Sequence, residues 1–334
     1  MINSIQALRF FAAFFVVLHH CYRSFPVEYF GDFGNVIKIN FAFGVDIFFV
    51  ISGYVIYSSY MSKPKSATKF ITDRIIRIAP MYWLYTVLFL VVTFNFTTPF
   101  TSNVYEINNF LSSLFFIPST NPAGGFFPTL TVGWTLNFEM AFYVIFLVSI
   151  LVKSKNIAAF LLISIVVLNS LSSIGIANYF YSDAVIYEFS LGVIIGYLHR
   201  NSDILISRTI IVPSILILAM FTMMCSADEN QRLIAWGIPS AIIVACCISI
   251  NHKIRVPKFI LLLGDSSYSL YLVHKVILSA IIYPAIGGYL SFSNAFLLSI
   301  VLSVGLSVLS YKFLERPITK AIKSIHIKNG KVPV

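Results

Sequence analysis

Charge is what this 334-residue chain has least of. Asp, Glu, Lys and Arg together make up only 11% of it, and just 13 residues are acidic, against roughly a quarter charged residues in a soluble domain. With 58% hydrophobic residues and a mean hydropathy of +0.87, a soluble globular fold is excluded and a polytopic membrane protein is indicated. Cysteine is also scarce. Cys21, Cys225, Cys246 and Cys247 lie in or beside apolar runs, with neither disulfide-framework nor zinc-ligand spacing, so they read as small packing residues and no metal site is expected. Missing too are a low-complexity tail, an internal repeat, a lipidation motif and a signal-cleavage site. The first apolar run is therefore expected to be a retained helix.

What is present is a series of long apolar runs. Hydropathy predicts an all-α bundle with about ten transmembrane helices near residues 7–25, 41–60, 78–96, 133–151, 157–175, 184–199, 209–225, 233–250, 267–285 and 294–312. The whole chain, residues 1–334, reads as one integral-membrane domain with a short basic tail over 315–334. With both termini in the cytoplasm, all but Arg23, Lys38, Arg232 and Lys275 of the 23 Lys and Arg residues fall on cytoplasmic segments, as the positive-inside rule requires. The net charge of +10 is thus topological, and no nucleic-acid partner is implied. The one long external connection, residues 97–132, contains no Lys or Arg and is too long for a mere link. Its apolar piece 110–117 is too short to span and is expected either to dip into the interface or to pack over the bundle. Phe126, Phe127 and Trp134 suit either stacking on sugar rings or anchoring at the interface.

Ionisable residues inside apolar spans are the functional candidates, because burying them in lipid is costly. In LRFFAAFFVVLHHCYRSF, Arg9 and His20 are eleven residues apart, which places them within about 20° on one helical face and about 16 Å apart along the axis. His19 points about 100° away and reads as structural. In FGVDIFFVISGY, Asp46 is expected at a depth comparable with His20, where a carboxylate can orient an imidazole and raise its basicity for removing a hydroxyl proton. Ser52 offers a hydroxyl, and Gly44 and Gly53 permit close helix approach. Arg74 and Arg77, three residues apart before Pro80, suit bidentate phosphate contact at the cytoplasmic side. Pro80 itself is expected in a first helical turn. GWTLNFEMAFY buries Glu139 near the same depth again, fit to bind sugar hydroxyls or support a base. LGDSSYSLYLVHKVIL places His274 near mid-membrane with Tyr268 and Tyr271 nearby. Lys275 suits either snorkelling or pairing with a carboxylate, and Glu315 with Arg316 reads as an interfacial ion pair before Pro317.

These segments together resemble acyltransferase family 3, the integral membrane acyltransferases that O-acetylate surface glycans, such as O-antigen acetylases. The arginine, ten residues and histidine of the first span are Arg9 and His20, and FGVDIFFVISGY resembles the second-span motif. Arg74 and Arg77 match the RxxR pair. WTLNFE resembles the Trp-Ser-Leu-x-x-Glu pattern with Thr135 in the serine position, and SYSLYLVH with FLERP resembles the closing segments. The resemblance covers nearly the whole chain. It implies ten helices in a bacterial cytoplasmic (inner) membrane, no bound cofactor, and acyl-CoA as co-substrate. It also implies transfer of an acyl group, usually acetyl, to a hydroxyl of a surface polysaccharide or its lipid-linked precursor. On that reading His20 is the general base, oriented by Asp46 and supported by Glu139, while Arg9, Arg74 and Arg77 hold the donor. Ser52, Trp134, His274 and Tyr271 are further candidates. A covalent acyl-enzyme intermediate stays open. The extracytoplasmic hydrolase-like domain of some relatives is missing here, so any second catalytic step is expected from another protein. The rival class is a transporter or flippase using the His/Asp/Glu group to relay protons or bind polar cargo, although no inverted repeat supports it.

Overall fold

The computed structural model describes residues 2–25, 31–95, 106–201, 211–225 and 231–329. The described residues contain helices and connecting turns and no strand. In chain order the helices are α1 (Asn3–Ser24), α2 (Gly31–Asn40), α3 (Gly44–Ser62), α4 (Ala67–Asn95), α5 (Ile107–Leu114), α6 (Trp134–Leu151) and α7 (Ile157–Ser173). They continue with α8 (Tyr187–Asn201), α9 (Ile211–Cys225), α10 (Ile238–Ile250), α11 (Lys258–Asp265), α12 (Ser267–Ile286), α13 (Phe292–Ser310) and α14 (Arg316–Asn329).

Each of the ten predicted apolar runs is helical over nearly all of its described residues, and among the described residues seven helical segments are long and apolar enough to cross a membrane. The helices α7, α8 and α9 are shorter, at 17, 15 and 15 residues. Large apolar side chains such as Val91, Phe94, Ile163 and Val301 are exposed on the outside of the bundle, the pattern of a protein whose solvent is lipid.

Helix α3 is apolar nearly all round and mostly buried, as a central helix must be, and α1, α6, α8 and α10 pack on it. The closest approach, to α8, needs glycine. A Cβ on Gly53 would collide with the Phe189 carbonyl, and one on Gly192 with the Val50 carbonyl. Gly44 likewise sits against the Ala12 carbonyl and Val16 of α1. In α13, which packs along α12, Ser299, Ser303 and Ser307 are all fully buried, a small-residue stripe that lets membrane helices lie close.

Two local expectations change. Pro80 lies inside α4 rather than in a first turn, because the helix begins at Ala67 and carries Arg74 and Arg77 within it. The proline ring leaves one backbone hydrogen bond of that helix unmade. Glu315 does not pair with Arg316. Its carboxylate accepts a 2.6 Å hydrogen bond from Ser269 Oγ, and Ser269 in turn accepts from Ser310, which accepts from Tyr85 Oη at 2.6 Å. The two closing motifs are thus joined by a buried polar chain, since a carboxylate facing the bundle must find donors there. The external connection is anchored: Asn109 on α5 donates to the carbonyls of Thr120 and Phe127, and Trp83 Nε1 donates to the Leu114 carbonyl at 2.8 Å. Residues 97–105 of that connection lie outside the described residues. Cys21 and Cys246 are buried and Cys247 half-buried, all with free thiols, as expected of packing residues. The side chain of Cys225 is outside the described set.

Candidate active site

A cavity of about 720 Å³ runs along α3 from Val45 to Ser62, a stretch of 17 residue steps and therefore about 25 Å long. Its size suits a ligand of cofactor dimensions. Polar character changes along its length. Toward Ser58, Ser59, Met61 and Ser62 it is lined by Arg200, whose Nη1 donates to the Met61 carbonyl, and by Arg74, which shares a small recess with Ser59, with Arg77 one turn further along α4. Midway, Glu139 accepts hydrogen bonds from Ser52 Oγ at 3.3 Å and from Tyr143 Oη. At the far end stand Val45, Phe48, Thr135, Leu136 and Tyr271, where Tyr271 Oη donates to the Val132 carbonyl at 2.9 Å and meets Thr135 Oγ1 at 3.1 Å.

Five of the residues singled out from sequence, Arg9, Ser52, Arg74, Arg77 and Glu139, converge on this cavity, with Tyr271 closing its end. The charges acting on Arg9 are Arg77, Glu315, Glu139 and Asp265, so it joins a balanced network rather than standing as a lone cation. Arg74 differs. Its guanidinium lies 5.9 Å and 6.0 Å from the ring centroids of Phe70 and Tyr143, and its buried Nε has no hydrogen-bond partner among the described residues. A buried unpaired donor lining a cavity is a group prepared for an incoming acceptor.

His20 does not line the cavity. It is half-buried, with its ring 5.2 Å from that of His274 and 4.9 Å from that of His19. His274 is fully buried, its Nδ1 against the Leu270 carbonyl at 3.1 Å and its ring 6.0 Å from Tyr271. The imidazole pair therefore sits one helical turn beyond the cavity's end, with Lys275 and Arg23 as its charged neighbours. His19 is buried, consistent with packing.

Asp46 is not the carboxylate that orients His20. Both of its oxygens are held by Arg232, from Nε and Nη2 at 2.9 Å each, and the residue is fully buried. Two features separate it from His20. The short α2 and the turn Phe41–Phe43 precede α3, so Gly44 packs level with Ala12 and Val16, placing Asp46 nearer the N-terminal end of α1 than His20 is. Around α3, Asp46 also lies about 120° from Ser52, the face that meets the cavity. Arg232 in turn is sandwiched 5.5 Å from the Trp134 ring and 5.4 Å from the Trp236 ring, so one face of Trp134 is already occupied. Buried Glu188 of α8 acts on the same pair, giving two acids around one guanidinium. Sequence reasoning missed Arg232 and Glu188. A lone Glu in the apolar run 184–199 was the available signal. It also missed His199, which lines the cavity and shares a 2.9 Å hydrogen bond with Tyr54 Oη.

A helical membrane bundle enclosing a long cavity, basic at one end and closed at the other by hydroxyls next to paired imidazoles, is the architecture of an intramembrane transferase. The family model described as an acyltransferase domain matches residues 2–312, and the chain belongs to that family, acyltransferase family 3. Among curated proteins it is similar to the exopolysaccharide production protein ExoZ of Rhizobium meliloti (strain 1021), at 29% identity over 306 residues, covering 86% of this chain and 93% of the relative. It is also similar to the O-acetyltransferase OatA of Staphylococcus aureus, at 26% identity over 321 residues, covering 83% of this chain and 52% of the relative. The chain thus spans about half the length of OatA. No solved structure matches it.

Proposed function

We propose that this protein is a multi-pass O-acetyltransferase of the bacterial cytoplasmic membrane, moving an acetyl or other acyl group from cytoplasmic acyl-CoA to a hydroxyl of a surface polysaccharide or its lipid-linked precursor. One observation carries the reading: a single cavity joins a cluster of arginines, one with an unpaired buried donor, to a hydroxyl-lined end one turn from paired histidines. Arg74 and Arg77 grip the donor's phosphates, with Arg9 completing the basic mouth. The narrow, largely apolar channel along α3 receives the pantetheine arm and brings the thioester toward Thr135 and Tyr271. The names of the relatives, an exopolysaccharide production protein and an O-acetyltransferase, support a glycan acceptor.

The acceptor approaches from the opposite side and meets His20, which removes the hydroxyl proton as the oxygen attacks the thioester carbonyl. The carbon–oxygen bond forms, the carbon–sulfur bond breaks, and His20 returns the proton to the departing CoA sulfur. His274 packs against His20 and holds its ring in place. Glu139 positions Ser52 and Tyr143 along the channel wall.

The test uses the full chain in lipid nanodiscs with acetyl-labelled CoA and lipid-linked glycan. Alkali-labile label on the glycan supports the proposal. Label retained by the protein or delivered across the membrane, with none on glycan, favours transport. Comparing the masses of surface glycans from cells with and without the protein identifies the acceptor.

A further inference from the structure

The cavity's basic mouth has a second cationic group that the donor-binding reading above does not use. Arg200, at the end of α8, lines the cavity beside His199. Among the described residues its Nη1 donates to the Met61 carbonyl at 3.0 Å, and no carboxylate among them pairs with it. His199 is also fixed, its Nδ1 bonded to Tyr54 Oη, which leaves Nε2 as the free ring atom. Across the cavity, Arg74 is partly buried against the Phe70 and Tyr143 rings and Arg77, exposed like Arg200, lies one turn further along α4, whereas Arg200 is held at Met61 in the last turn of α3. The mouth therefore offers two anion positions at different depths.

We infer that Arg200, with His199, forms a subsite for a terminal phosphomonoester at the solvent end of the cavity, separate from the diphosphate grip of Arg74 and Arg77. Resting on the acyl-CoA reading, this assigns the subsite to the 3′-phosphate of the donor's nucleotide. The chemistry orders the ligand. Its thioester goes deepest, its internal diphosphate meets the half-buried arginine, and its phosphomonoester, carrying about −1.5 to −2 charge at neutral pH, stays outermost. A guanidinium with its fork free suits such a dianion, and a neighbouring imidazole adds a further donor.

Binding of acetyl-CoA and of 3′-dephospho-acetyl-CoA to the full chain in nanodiscs, for the parent, Arg200→Gln and Arg200→Lys, decides the matter. The ratio of the two affinities within one variant is independent of how much of that variant folds. The parent is expected to prefer acetyl-CoA by about tenfold, one charged phosphate contact, Arg200→Gln to bring the ratio near one, and Arg200→Lys to keep part of it. An unchanged ratio in Arg200→Gln, or equal weakening of both ligands, overturns the subsite and leaves Arg200 as a cap on α3. Affinity of the nanodisc-embedded chain for a soluble short-chain phosphatidic acid that falls in Arg200→Gln while the ratio holds assigns the arginine to a lipid headgroup, and also overturns it. A parent that binds both ligands equally removes the subsite but keeps the donor reading; a parent that binds neither removes both.

Discussion

Asp46 and Arg232 are 186 positions apart in the chain and meet in a bidentate pair, with two 2.9 Å hydrogen bonds in the interior of the bundle. The pair fastens the segment entering α10 to the first turn of α3, and the Trp134 and Trp236 rings enclose it. It is a structural tie between distant helices.

Breaking that tie on one side leaves acids buried without their base. Arg232→Met is expected to destabilise the protein by about 3–5 kcal/mol, because uncompensated buried charge costs more than the pair itself contributes. The double variant Asp46→Asn with Arg232→Met should lose less than the two single changes added together. Thermal unfolding in detergent measures both, and strict additivity would show that the two residues are not coupled.

Replacing His20 should separate chemistry from donor binding. His20→Ala is expected to lower transfer by about 10²–10⁴-fold, the usual contribution of a general base, while acetyl-CoA affinity stays at the parent level because His20 does not line the cavity. Single-turnover transfer and equilibrium binding on the same preparation test this. Unchanged transfer removes the base role.

The arginines should show the reverse. Arg74→Ala and Arg77→Ala are each expected to weaken acetyl-CoA binding by about tenfold to a hundredfold, matching charged hydrogen bonds worth about 1.5–3 kcal/mol. Rising salt should erode the parent's affinity faster than that of either variant. A salt titration of binding reads this out, and parallel curves would argue against phosphate contact.

Helix approach in the core predicts a packing defect with no chemistry in it. Gly53→Val places a branched side chain against the Phe189 backbone, and neither helix can yield by moving a flexible side chain. A loss above the roughly 1–3 kcal/mol usual for overpacking is expected. Gly305→Ala, where a Cβ meets nothing within 4 Å, should stay close to the parent, and the two unfolding midpoints compared directly test the contrast.

Much of the cavity was legible in the chain. Arg9, Ser52, Arg74, Arg77 and Glu139 stand out because ionisable and hydroxyl groups in apolar spans need a polar reason to be there, and they do share one space. Depth did not come through: counting residues put Asp46 and Glu139 level with His20, whereas Gly44 packs against Ala12 and Val16 and Glu139 meets Ser52 two turns further along α3, so both carboxylates lie nearer the N-terminal end of α1 than His20 does. Nor did the polar partners of Asp46 and Glu315, since each required knowing which way a helix is turned and which distant segment lies beside it.

Composition and periodicity alone determined an all-helical membrane chain and the approximate position of its apolar helices, and the resemblance of its motifs pointed to the family. Tertiary structure decided the rest. It begins α3 level with Ala12 and Val16 of α1, it gives Asp46 to Arg232 rather than His20, and it pairs His20 with His274 beyond the cavity's end. The physical reason is that hydrophobic burial depends on local sequence, whereas the rotation and offset of packed helices depend on close contacts between residues far apart in the chain, such as Gly53 against Phe189, which no local pattern encodes.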